Sequence, residues 1–254
     1  MDPDIKNDEE AIIKEAEGLL KDPAKRRLLG NVLTLGGLSL ATGITLNHYG
    51  SVKEVLKAVS RFNDGAQAVI FNPNTLAPTY SQAEVAKPFP FNAFYSVDKA
   101  PVVNPADYWL ELSGKIADRR PWRLAALHAL PYTEQITRHI CVEGWSAIGR
   151  WGGVTFSEFL KRVGADTTCK YVGFKCADGY YTSIDMPTAL HSQTLLTFTF
   201  DGQLLPAKYG FPMKLRMPTK LGYKNPKHIV EIFVTNVYSG GYWEDQGYNW
   251  FGGS

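Results

Sequence analysis

The sequence contains little cysteine, and this scarcity excludes several kinds of redox centre. Three cysteines, Cys141, Cys169 and Cys176, occur among 254 residues. They form no CxxC pair and no CxxCH motif, so we expect neither an iron–sulfur cluster nor a covalently attached haem. Cys169 and Cys176 either pair in an oxidising compartment or lie buried. His139 and His191 have no second ligand at metal-binding spacing, so a zinc site is not expected.

The sequence also lacks a concentrated basic region. It has 27 Lys and Arg against 25 Asp and Glu, and these residues are spread along the chain. Such a distribution does not neutralise a phosphate backbone, so we expect no nucleic-acid partner. Internal repeats and nucleotide-binding glycine motifs are absent as well. The 44% hydrophobic content is typical of an ordinary globular protein with one sizeable core.

Residues 1–47 are predicted to direct export. A charged segment is followed by Arg26 and Arg27 and then by an uncharged, weakly apolar stretch that reaches residue 46. A twin arginine before such a stretch is typical of signals that carry folded, cofactor-loaded proteins to the periplasm. No A-x-A cleavage site follows, which leaves open an uncleaved membrane anchor. The alternative is an amphipathic or buried core helix.

The rest of the chain reads as an arm followed by one α+β domain. Residues 48–90 combine a predicted helix at 52–61 with a proline-rich stretch, and we expect an extended arm or linker. Within residues 91–254, helices are predicted at 122–130 and at 155–164, the second with Thr155 as N-cap and Gly164 as its end. The Asp201-Gly202 pair predicts a hairpin turn. Strands are predicted from β-branched and aromatic content at 108–114, 170–176, 194–206, 213–218 and 228–238.

Cys141, in the run RHICVEGWSAIGRWGG, is the candidate metal ligand and catalytic residue. A thiolate suits a soft or high-valent metal, although spacing alone favours a cysteine that simply packs in the core. Glu143, two residues further on, is the second catalytic candidate, as a hydrogen-bond partner or proton relay. A salt bridge from Glu143 to Arg138 or Arg150 is the alternative.

Several runs, in order, resemble one family. RHICVEGWS resembles the molybdenum-binding loop of the sulfite oxidase superfamily, most closely that of bacterial periplasmic methionine-sulfoxide reductase catalytic subunits. FNAFYSVDK, YWLELSGKI, KYVGFKC and DGQLLPAKYGFPMKLRMPTKLGYKNPKHI resemble further segments of these enzymes. The resemblance implies a sulfite-oxidase-type molybdopterin-binding fold with strand-rich mixed sheets and a few covering helices. It also implies a molybdenum–molybdopterin cofactor, with Cys141 as the ligand that the protein gives to the metal.

The resemblance further assigns the cofactor-binding positions. Amides, a cation and exposed backbone would converge on the pterin and its phosphate. Taken without the resemblance, the same residues read as turn caps, core aromatics or solvated strand ends. The implied cofactor-binding residues are Asn92, Tyr95, Ser96, Cys141, Cys176, Tyr209, Lys214, Asn225, Pro226 and Lys227.

The sequence departs from the family at the substrate pocket. The arginines that sulfite oxidases bring to an oxyanion are missing, which argues against sulfite as the substrate. Ala93 and Tyr209 stand where the methionine-sulfoxide reductases have asparagines. We expect oxygen-atom transfer from an S-oxide or N-oxide, with electrons from a membrane haem b or quinol-linked partner. The alternatives are a dehydrogenase that oxidises a small sulfur compound and a non-catalytic binding or assembly module. The aromatic C-terminal tail either closes over the pocket or docks a partner.

Overall fold

A computed structural model describes residues 62–67 and 69–254. The predicted export signal and the predicted helix at 52–61 lie outside the described residues. The chain divides into two compact units, Met1–Gly65 and Ala66–Ser254, and the fold given below is that of the second. Among the described residues, no helix is long and apolar enough to cross a membrane.

Within residues 71–254, ten strands and three short α-helices alternate irregularly, and residues 62–67, 69 and 70 are helical as well. The helices are α1 (Leu124–His128), α2 (Phe156–Arg162) and α3 (Met186–Leu190). The strands are β1 (Trp109–Gly114), β2 (Trp122–Arg123), β3 (Thr133–Ile140), β4 (Ser146–Thr155), β5 (Tyr171–Cys176), β6 (Tyr181–Asp185), β7 (Leu195–Phe200), β8 (Gln203–Leu204), β9 (Lys214–Arg216) and β10 (Ile229–Thr235). This irregular order gives the α+β class that the sequence predicts.

The strands form two five-stranded sheets. The first has the order β2-β1-β10-β5-β6 and is mixed, because β1 and β10 run parallel while the other pairs are antiparallel. The second joins β3-β4-β7-β8 and adds β9 beside β7, all antiparallel. The hairpin of β3 and β4 is the longest pairing, and its turn carries Cys141.

Local sequence accounts for most of these elements. Thr155 is the N-cap of α2, and Gly164 follows the helix with φ +63°, as predicted. Asp201 and Gly202 both have positive φ in the turn between β7 and β8, which confirms the hairpin. The helix predicted at 122–130 is shorter, because its first two residues pair with β1 as strand β2.

The main core lies among β1, β5, β7, β9, β10 and the buried face of α2. A smaller aromatic cluster on the second sheet centres on Trp151 and Phe89. Phe89 belongs to the proline-rich stretch at 71–90, which is attached to β3 and β4 by backbone hydrogen bonds from Tyr80 to Ile136 and from Ala86 to Ile148. This stretch leads directly into residues 91–96 of the candidate site.

Candidate functional site

The turn between β3 and β4 presents Cys141 to a cleft. The Cys141 amide donates to the carbonyl of Trp145 at 2.8 Å, and the Gly144 amide donates back to Cys141 at 3.1 Å. Gly144 has φ +91°, a conformation that few other residues adopt without strain, so it closes the tight turn. Cys141 is 7% exposed and lines the cleft.

Glu143 is held next to the thiol. Its carboxylate accepts a hydrogen bond from Trp145 Nε1 at 2.9 Å, and Cys141 Sγ donates to the same oxygen at 3.7 Å. Arg150 instead pairs with Glu134 at 2.7 Å, so it is not available to Glu143. Burial, together with the nearby Glu143, raises the pKa of the Cys141 thiol. The thiol therefore stays protonated at neutral pH unless a cation takes the place of the proton.

The cleft has a volume of about 120 Å³ and opens to solvent. Its walls come from residues 92–95, the Cys141 turn, the turn after β5, the segment before β10 and the C-terminal tail. Its lining residues are Asn92, Ala93, Phe94, Tyr95, Cys141, Val142, Glu143, Asp178, Tyr180, Gly222, Tyr223, Asn225, Pro226, Lys227, Trp243 and Tyr248.

Lys227 is a buried cation at the edge of the cleft. Its ammonium group donates to the carbonyls of Asn92 and of Lys208, the latter at 3.2 Å, and it lies 4.7 Å from the centre of the Phe91 ring. Burial lowers its pKa to about 8, while Asp178 opposes that shift. The two carbonyls fix the position of Lys227 without neutralising it.

Two further cations lie buried near Lys227. Arg216 donates to the carbonyls of Met217 at 3.0 Å and Arg138 at 2.6 Å. Lys214 lies 5.0 Å from the centre of the Trp151 ring. Burial, reinforced by the neighbouring cations Lys227 and Arg216, lowers the pKa of Lys214 well below its ordinary value.

This cation cluster, defined as Lys214, Arg216 and Lys227, suits an anionic ligand. Within the described part of the chain, none of the three is within ion-pairing distance of a carboxylate. Arg216 Nε and, nearby, His139 Nδ1 are buried polar atoms without a hydrogen-bond partner. Buried charge is unfavourable unless it is compensated, so a ligand that carries a phosphate and many acceptors fits these groups.

The cleft also fits a metal that brings most of its own ligands. In the described residues, no group of three or more His, Cys, Asp or Glu side chains could hold a metal ion. A metal held by Cys141 would take most of its remaining ligands from a cofactor. This donor set agrees with molybdopterin, whose own sulfur atoms bind the metal.

Comparison with known sequences identifies the family. The sequence model described as "Oxidoreductase molybdopterin binding domain" matches residues 97–243. The chain belongs to this family. It is a molybdopterin-binding oxidoreductase of the sulfite oxidase type, as the resemblance implied.

Individual relatives agree with this assignment. The chain is 61% identical over 241 residues to "Putative protein-methionine-sulfoxide reductase subunit YedZ1" of Azospira oryzae, covering 95% of this chain and 92% of that protein. It is 31% identical over 185 residues to "Protein-methionine-sulfoxide reductase catalytic subunit MsrP" of Ralstonia nicotianae, covering 61% of this chain and 56% of that protein. The chain thus spans little more than half of the Ralstonia protein.

A solved structure shares the fold. The sulfane dehydrogenase SoxCD from Paracoccus pantotrophus superposes with a TM-score of 0.51 at 18% sequence identity. The match covers 54% of this chain and 40% of that one. At this identity the likeness concerns the fold alone.

The structure brings most of the implied molybdopterin-site residues together. Cys141, Glu143, Asn92, Tyr95 and the run from Asn225 to Lys227 all line the cleft. The Asn225 side chain is occupied inside the protein, since its carbonyl oxygen accepts from the Met217 amide at 2.6 Å. Any contact from Asn225 to a pterin would therefore come from its backbone.

Other implied positions, Lys214 among them, lie away from the lining of the cleft. Tyr209 donates from its hydroxyl to the carbonyl of Phe89 at 2.6 Å, inside the aromatic cluster. Ser96 is the exposed N-cap of a 3₁₀ turn at Val97–Lys99. Cys176 is buried and lines a neighbouring cavity; neither it nor Cys169 forms a disulfide. The roles predicted for these residues stay predictions.

Sequence reasoning missed several residues of the cleft. Asp178 accepts from the Tyr95 hydroxyl at 3.0 Å, so it positions one predicted contact. Gly222 leaves no room for a Cβ, which would meet His139 Nε2 at 2.7 Å. Trp243 and Tyr248 come from the tail, whose aromatic content was the one available signal.

Proposed function

We propose that this chain reduces S-oxides by oxygen-atom transfer, with N-oxides as the second substrate class. The observation that carries the proposal is Cys141 in a cleft beside the cation cluster. The relatives named as methionine-sulfoxide reductase subunits support an S-oxide in particular. A bound molybdopterin supplies the two-electron redox chemistry and the transfer of the oxygen atom.

In this proposal the residues of the chain have distinct tasks. Cys141 would hold the metal as a thiolate, and the Glu143 oxygen 3.7 Å from its sulfur is placed to accept the thiol proton. Lys227 and Lys214 offset the negative charge of the cofactor. The Trp145 indole holds the carboxylate of Glu143 in position.

The lining of the cleft favours a neutral oxide over an oxyanion. Among the described residues that line it, Lys227 is the only Lys or Arg, and its ammonium group is already bonded to carbonyls. An anion such as sulfite would gain no charge-assisted hydrogen bonds from the outer part of the cleft. A sulfoxide needs only hydrogen bonds to one polarised oxygen.

We propose further that the protein works in the periplasm and receives electrons from a membrane haem b or quinol-linked partner. Arg26 and Arg27 ahead of a weakly apolar stretch support export in the folded state. The absence of a CxxCH motif supports a separate electron donor.

The experiment is a comparison of Cys141→Ser with Cys169→Ala, both made in a host that synthesises molybdopterin. Reduction of methyl aryl sulfoxides is followed with a reduced viologen dye, and molybdenum is measured per chain. Wild type should reduce the sulfoxide. Removing a residue that only orients a metal ligand typically lowers activity roughly 10- to 100-fold. Cys141→Ser should lower the rate of sulfoxide reduction by more than that.

Cys169 is the matched control because it is also buried but lies in the main core. Cys169→Ala should keep its molybdenum and its turnover. Molybdenum-loaded wild type that oxidises small sulfur compounds with dye acceptors, but reduces no oxide, would reverse the proposed direction. Folded protein without molybdenum would overturn the enzyme proposal and favour a binding module.

A further inference from the structure

The C-terminal residues 238–254, here called the strap, are fixed at two points to the turn at Gly222–Lys224, part of which lines the cleft. Glu244 forms an ion pair with Lys224, and both side chains are only 1% exposed. The Tyr223 hydroxyl donates to the carbonyl of Asn249 at 2.5 Å. These two attachments lie on either side of residues 245–248, so this part of the strap is a preorganised wall.

The wall is aromatic. Trp243 and Tyr248 both line the cleft, and their ring centroids are 5.0 Å apart. Tyr242 stacks on Phe94, another residue of the cleft lining, with the two ring centroids 4.7 Å apart. The family match ends at residue 243, so Tyr248 lies beyond the region that the family shares.

The ionisable groups that line the cleft are unevenly distributed. Glu143 is exposed and Asp178 is half-buried, while Lys227 is buried and bonded to two carbonyls. The part of the cleft that solvent reaches thus combines acidic and aromatic side chains. Both kinds attract positively charged groups, the aromatic rings also pack against apolar groups, and the carboxylates repel anions.

We propose that Trp243 and Tyr248 are specificity-determining residues that, with Glu143 and Asp178, select S-oxides carrying apolar or positively charged groups over anionic ones. The proposal rests on the proposed function and names its substrate class. A methionine-sulfoxide residue flanked by lysines would be a better substrate than one flanked by glutamates.

The test uses the molybdenum-loaded enzyme and two blocked tripeptides, Lys-methionine sulfoxide-Lys and Glu-methionine sulfoxide-Glu. Wild type should prefer the lysine peptide in kcat/KM by about three- to fivefold at low salt, and the preference should shrink as salt is raised. Trp243→Leu and Tyr248→Leu should lower the preference by raising KM for the lysine peptide, with kcat nearly unchanged. Tyr238→Leu, another tyrosine of the strap but outside the cleft lining, should leave the preference unchanged.

The outcomes separate this inference from the proposed function. Equal kcat/KM for both peptides in wild type, or an unchanged preference in the two leucine variants, overturns the inference while sulfoxide reduction stands. If a leucine variant fails to retain molybdenum, the inference is tested by measuring the peptide preference of wild type at increasing salt concentrations. A preference that does not change with salt overturns the inference. Loaded enzyme that reduces neither the peptides nor a methyl aryl sulfoxide overturns the proposed function. Wherever neither peptide is reduced, the dissociation constants of the two peptides decide the selectivity.

Discussion

Replacing Lys227 with methionine should change how the stability of the cofactor-free protein depends on pH. Methionine keeps the length of the side chain and removes the buried charge. The pKa of Lys227 falls from 10.5 to about 8 because burial penalises its charged form. Between these two values the unfolded chain binds more protons than the folded one, so this lysine makes stability rise with pH.

The size of the effect follows from the two pKa values. The buried charge destabilises the fold by about 3 kcal/mol at pH 7 and by about 2 kcal/mol at pH 9. Removing it should therefore favour the variant by about 1 kcal/mol more at pH 7 than at pH 9. The carbonyls of Asn92 and Lys208 lose a donor in the variant, which adds an offset that does not depend on pH.

The assay is urea unfolding, followed by tryptophan fluorescence, of protein from a host that makes no molybdopterin. Burial raises the pKa of Cys176 and of Tyr180, which makes the stability of both proteins fall with pH, so only the difference between the curves is interpreted. Lys208→Met, which removes an exposed lysine, should give a curve parallel to wild type. Parallel curves for wild type and Lys227→Met from pH 7 to pH 9 would refute the reasoning.

Two further substitutions test the strap and the floor of the cleft. Glu244→Ala removes the carboxylate that pairs with the buried Lys224 and should lower the free energy of unfolding by about 3–5 kcal/mol, measured in denaturant; a loss below about 1 kcal/mol would contradict the buried ion pair. Gly222→Ala places a Cβ 2.7 Å from His139 Nε2 and 3.3 Å from Asn92 Nδ2, so it should displace both side chains and reduce the molybdenum content of the purified enzyme. Full molybdenum content in Gly222→Ala would show that the cofactor does not depend on this packing.

Local patterns were enough to predict several elements of the fold. Thr155 and Gly164 marked the ends of α2, and the Asp201-Gly202 pair marked the turn between β7 and β8, because capping and positive φ depend on adjacent residues. The hairpin of β3 and β4 was not predicted. Its strands lie on either side of the turn that carries Cys141. The glycines of β4, such as Gly152 and Gly153, weaken the strand pattern.

The candidate site was predictable where its residues belong to runs shared with the family. Cys141, Asn92 and Lys227 were found in this way, and all three line the cleft. Asp178 and Tyr248 were not found, since no local pattern distinguishes them from turn and surface residues. Tyr209 was assigned to the cofactor by position, although its hydroxyl bonds to Phe89.

The sequence by itself determined the family, the α+β class and Cys141 as the metal-ligand candidate, because these depend on residue identity and order along the chain. Only the tertiary structure decided which residues share one cleft. Among the described residues, it buried Lys214, Arg216 and Lys227 together with no carboxylate within ion-pairing distance, and it placed Trp243 and Tyr248 of the strap in the cleft lining. Burial and through-space charge arise from contacts between residues far apart in the chain, such as Asn92 and Lys227, which are 135 positions apart, and no local pattern encodes them.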